Sequence, residues 1–131
     1  MYSVKDVYYG IYKKVGVPIV FDYHHHQFCT GGMSEQEALE MALSTWGDIK
    51  PVTHYSESRS KEQMDEKIRP QAHSDYVYDK IEMYGNDFDI MVEAKHKELA
   101  VRKYMELHMV DQYSGLPAVD SYKQDRTMNY V

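Results

Sequence analysis

The sequence predicts an α/β fold with parallel strands, on three observations. Segments of helical periodicity alternate with short apolar runs at residues 19–22, 52–56 and 88–93, the rhythm of helix, turn and buried strand that parallel α/β sheets require. Glycine and proline punctuate the junctions. Each apolar run also closes on a side chain able to hold a metal ion: Asp22, His54 and Glu93. In parallel α/β folds the C-terminal strand ends lie together on one face, and active sites sit there.

The elements follow in order. Ser3 and Asp6 form a capping box, and Val4, Val7, Tyr8, Ile11, Tyr12 and Val15 recur at helical spacing to give one apolar stripe. Gly16 stops that helix and Pro18 prevents its resumption, so residues 19–22 are read as the first strand, running into three histidines, His24, His25 and His26. Ser34 and Glu37 make a second capping box for a helix carrying Ala38, Leu39, Ala42 and Trp46, which Gly47 closes. The second strand then places His54 where the first places Asp22. Residues 57–72 are polar and read as a long loop, a length usually reserved for function. Tyr76, Val77, Lys80, Ile81 and Tyr84 have the spacing of a helix over roughly 75–84, broken by Gly85-Asn86. After the third strand a helix starts at Ala94 and fades near His108; beyond it, periodicity is lost and a loosely held tail is expected over 109–131.

Composition bounds the functions available. The chain has 131 residues, 43% of them hydrophobic and 27% charged, which suits one domain with a modest core. No apolar run reaches the roughly 20 residues of a membrane span, so no membrane partner is expected. The single cysteine, Cys29, excludes an internal disulfide and points to a reducing compartment, the cytoplasm or, in a eukaryote, the nucleus. A net charge of −6 argues against nucleic-acid binding by overall charge, leaving local basic patches as the alternative.

The chemistry concentrates in Val20-Phe21-Asp22-Tyr23-His24-His25-His26. A carboxylate and imidazoles at the end of a buried strand add nothing to stability unless something binds them, and Asp22 and His25 can both turn toward one divalent ion. A His-rich solvated loop or a purification tag is the plain alternative, but a tag sits at a terminus. Asp22, His54 and Glu93, one per strand, make the stronger pattern. His24, His26, His96 and His108 read as neighbours or surface residues, and Cys29 as an ordinary small residue. The run Arg59, Lys61, Lys67, Arg69 is diluted by Glu57, Glu62, Asp65 and Glu66 and reads mainly as a solvated face.

Four blocks carry a resemblance: Val20-Phe21-Asp22-Tyr23-His24-His25-His26, His54-Tyr55-Ser56, Ala72-His73-Ser74-Asp75-Tyr76 and Asp89-Ile90-Met91-Val92-Glu93-Ala94-Lys95. In order and spacing they resemble the C-terminal half of a UV damage endonuclease. The resemblance implies a partial (β/α)8 TIM-type barrel of about three strand–helix units, of the endonuclease IV-like superfamily, over residues 1–108. It implies nicking of damaged double-stranded DNA just 5′ of ultraviolet photoproducts. It implies divalent ions, manganese first with zinc or magnesium as alternatives, on Asp22, His25, His54, His73 and Glu93. Carboxylates bridge ions more readily than imidazoles, which puts Asp22 and Glu93 deeper and the histidines at terminal positions. Lys95 falls in the family's Glu-Ala-Lys block as a catalytic candidate, with Arg59 and Lys61 as phosphate contacts. Val52 stands where the family often has lysine. The first half of the barrel, with a further glutamate ligand and the lesion-probing residues, has no counterpart in the sequence, so a complementing N-terminal half-barrel polypeptide or self-association is expected. Another metal-dependent barrel enzyme such as a sugar isomerase, or a non-catalytic metal- or partner-binding remnant, fits the same residues.

Overall fold

The computed structural model describes residues 1–109, and the expected tail lies outside them apart from Met109. The chain opens with α1 (Val4–Val7), a π-helical segment (Tyr8–Tyr12) and α2 (Lys13–Val15). Ser3 and Asp6 exchange the two hydrogen bonds of a capping box, at 3.2 and 3.1 Å, and Gly16 ends the run at φ +75°. Then come β1 (Phe21–Asp22), α3 (Tyr23–Phe28), α4 (Glu35–Leu43) continued by a 3-10 turn (Ser44–Trp46), β2 (Val52–Tyr55), α5 (Arg59–Gln63), β3 (Asp89–Val92) and α6 (Glu98–His108). The three strands form one sheet in the order β1-β2-β3, and β1 and β2 run parallel. No helix among the described residues is long and apolar enough to cross a membrane.

Two compact units divide the chain. The first, Met1–Tyr55 with Met83–Ile90, is built on Phe21, Tyr23 and Leu39, all fully or almost fully buried. Phe21 packs edge-on against Tyr23 at 4.9 Å, and Tyr23 against Tyr55 at 5.4 Å. The small faces of Ala38 and Ala42, both 0% exposed, let α4 sit close to this cluster. The apolar stripe of the first helix, by contrast, buries none of its residues, and Ile11 and Val15 stay 49% and 66% exposed. The second unit, Ser56–Glu82 with Met91 onward, has its core in Val77, Ile81, Val92, Ala94, Ala100 and Val101.

Four local expectations need correction, and competition for backbone groups explains most of them. The first strand is shorter than expected because the Ile19 amide donates to the Thr45 hydroxyl at 2.8 Å and its carbonyl accepts from the Trp46 indole at 2.8 Å, so neither is free for a ladder. The three histidines lie in helix α3, not in the solvated loop of the plain alternative, because Asp22 caps it. The 57–72 loop contains α5, which ends where Met64 turns left-handed at φ 52°. The helix expected over 75–84 is absent: carboxylates capture its amides, Glu62 those of Asp75 and Tyr76 and Glu57 those of Tyr78 and Asp79. The last helix starts at Glu98, not Ala94, because Lys97 sits at φ 52° and ψ −121°, outside the helical region, while the Lys95 and His96 amides bond to the Ser74 and Asp75 carbonyls.

Candidate metal centre

The strands end as the site needs. Asp22 is the last residue of β1, His54 is its register partner on β2, and Glu93 directly follows β3. Phe21 points into the core, so its neighbour Asp22 falls on the opposite side of the strand. Asp22, His54 and Glu93 each offer one ligand atom, and these atoms all lie within 4.8 Å of one another; all three side chains are partly buried. Donors around a first-row divalent ion stand about 3 to 4.5 Å apart, given metal–ligand distances near 2.0–2.2 Å. Two carboxylates and an imidazole within that span form a donor set that a divalent ion fits.

Asp22 also shapes its surroundings. Its Oδ1 accepts the His25 amide at 2.9 Å and caps α3, while a carboxylate has a second oxygen to give. His25 Nε2 lies 3.0 Å from the Tyr2 carbonyl, and His25 is not a member of the triad. A hydrogen bond to a carbonyl fixes the proton on Nε2 and leaves Nδ1 as the acceptor nitrogen. His73 pairs its backbone with Ser58 in an isolated antiparallel bridge and is likewise outside the triad. The Arg59 guanidinium is engaged by the Asp75 carboxylate, and Lys61 and Lys95 are exposed.

Glu62 is the residue that periodicity and motif reading passed over. Burial pushes its pKa up, but hydrogen bonds from the Asp75 amide, the Tyr78 hydroxyl and the Tyr76 amide outweigh it and bring the carboxyl down to about 2. The same contact, added to burial, raises the Tyr78 phenol to about 12. In sequence Glu62 is one of several acids in a polar stretch, and nothing about its spacing announces that it organises a segment a dozen residues away.

Known proteins resemble this chain. A family model described as UV-endonuclease UvdE matches residues 1–123. A UV DNA damage endonuclease of Bacillus cereus (strain ATCC 10987 / NRS 248) is 29% identical over 122 residues, which cover 86% of this chain and 36% of the relative. Its counterpart in Bacillus mycoides (strain KBAB4) is 34% identical over 102 residues, 70% of this chain and 30% of the relative. The crystal structure of SacUVDE superposes with a TM-score of 0.64 at 28% identity, over 87% of this chain and 37% of that one. The chain therefore spans about a third of the length of the curated relatives it matches. Matched over nearly its whole length by the family pattern, the chain belongs to the UV-endonuclease UvdE family.

Proposed function

We propose that this chain forms the metal-binding part of a DNA repair endonuclease that nicks double-stranded DNA 5′ of ultraviolet photoproducts. The observation that carries the proposal is the strand-end triad of Asp22, His54 and Glu93 in a chain of this family. Divalent ions bound there, manganese first with zinc or magnesium on the same donors, would supply an activated water and neutralise charge on the leaving oxygen. Asp22, His54 and Glu93 would hold them, with His25 and His73 as the remaining ligands of the set. Arg59 contacts phosphate while keeping Asp75, since a guanidinium has five N–H donors. Lys61 adds positive charge, and Lys95 assists at the reacting phosphate.

In this reading the chain supplies about three strand–helix units of a (β/α)8 barrel of the endonuclease IV-like superfamily. The strand β1 lies at one end of the sheet order, Val20 beside it is 43% exposed, and the helix before it leaves Ile11 and Val15 uncovered. An open edge and an uncovered apolar stripe are what a second polypeptide or another copy of the chain would close. A DNA substrate and bacterial relatives support a cytoplasmic location.

Nicking of irradiated against untreated plasmid, with manganese and with wild-type protein or Glu93→Ala, tests the activity. Irradiation-dependent cutting lost in Glu93→Ala is expected. Cutting that ignores irradiation, or that survives the substitution, refutes the assignment. Light scattering after size exclusion tests the second half: a compact monomer that nicks alone removes the need for a partner.

A further inference from the structure

The second unit carries a stacked, cation-backed ring pair that no step above uses. The His96 imidazole lies flat on the Tyr76 ring, with centroids 4.7 Å apart and planes 8° from parallel. The Lys103 ammonium sits 4.6 Å from the Tyr76 ring centre and 4.9 Å from that of Tyr78. His96 is the outer member of the stack, its side chain 44% exposed, and Lys95 and Lys97 on either side of it are exposed as well.

The turn that presents His96 is held rigidly and under strain. The Lys95 and His96 amides donate to the Ser74 and Asp75 carbonyls at 2.9 and 3.1 Å. Asp75 also stands 3.9 Å from His96 Nε2. Lys97 adopts φ 52°, ψ −121°, a conformation that costs a lysine energy and persists where surrounding structure enforces it, often at ligand-binding positions. A ring stacked on tyrosine by one face, with 44% of its side chain exposed and lysines beside it, has the make-up of a stacking platform for nucleic-acid bases. Packing alone would account for the Tyr76 contact, but not for a strained turn that sets a half-exposed ring between two lysines.

We propose that the 94–97 turn is a base-stacking platform, on which the exposed His96 ring receives a base displaced from the duplex while Lys95 and Lys97 hold the flanking phosphates. The proposal rests on the DNA-acting reading above and adds to it a contact for an unstacked base. It is tested with the whole chain and a duplex carrying one extrahelical 2-aminopurine, followed by fluorescence and by binding titration. Wild-type protein is expected to quench the 2-aminopurine as the base stacks. His96→Ala should abolish the quenching and weaken binding about tenfold, and His96→Tyr, which keeps a flat ring, should restore both. Quenching unchanged in His96→Ala, or a His96→Tyr variant as weak as the alanine one, overturns the platform. The plasmid assay separates the two claims. Damage-dependent nicking with unaltered quenching in His96→Ala overturns the platform alone, whereas ring-dependent quenching in a protein that never nicks, even with a complementing N-terminal half-barrel polypeptide added, sustains the platform and sinks the endonuclease. Wild-type protein that neither binds nor quenches overturns both.

Discussion

Asp22 serves two ends, and two substitutions separate them. Its Oδ1 accepts the His25 amide at 2.9 Å and caps α3, and its side chain also offers a donor to the triad with His54 and Glu93. Asparagine caps a helix about as well as aspartate, whereas alanine forfeits roughly 1 kcal/mol. A neutral amide oxygen is a much poorer partner for a divalent ion than a carboxylate. Without metal, Asp22→Asn should therefore unfold with the wild-type free energy to within about 0.5 kcal/mol, and Asp22→Ala about 1 kcal/mol earlier. With manganese at about 100 times the wild-type Kd, binding linked to folding raises wild-type stability by about 2.7 kcal/mol. A tenfold loss of affinity in Asp22→Asn cuts that increment to about 1.4 kcal/mol, and a hundredfold loss to about 0.4 kcal/mol. Urea unfolding of the three proteins in chelator and in manganese provides the assay. If Asp22→Asn gains as much from manganese as the wild type, Asp22 is not a ligand. If Asp22→Ala is no less stable than Asp22→Asn in chelator, the capping bond contributes nothing, and the reasoning about α3 fails with it.

Two further outcomes follow from the same structure. Glu62 has a folded pKa of about 2 against an ordinary 4.5, so its contribution is fully present above 4.5 and disappears as pH falls from there toward 2. The full shift would correspond to roughly 3 kcal/mol, and partial exposure to water reduces this to about 1–2 kcal/mol. Glu62→Gln should lose that amount at neutral pH and flatten the acid limb of a stability-against-pH curve. Phe21 is 0% exposed beneath the site-bearing strand, so Phe21→Ala should cost about 3–5 kcal/mol, read as a lowered urea midpoint. A loss under 1 kcal/mol would mean that the Phe21–Tyr23 contact does not anchor β1.

What reads directly from sequence here is what short-range chemistry dictates. The Ser3 and Ser34 capping boxes form as their spacing requires, and Gly16 and Gly47 turn left-handed where the helices stop. Asp22 and His54 come opposite each other because each stands near the end of an apolar run in a parallel pair. In the His-rich segment the most visible feature, three imidazoles, hides the one that sets its backbone: Asp22 accepting the amide three residues on.

The sequence by itself determined the α/β rhythm and one potential ligand near the close of each strand, because periodicity, caps and breakers act over a few residues, while four short blocks carried the family resemblance. Only the tertiary structure decided that residues 75–84 form no helix, that α6 waits until Glu98 and that a tyrosine and a histidine twenty residues apart in sequence stack face to face. Those outcomes turn on which distant carboxylate or carbonyl reaches a given amide first. Glu57 and Glu62 claim four amides of the 75–79 segment, and a helix cannot form from donors already spent.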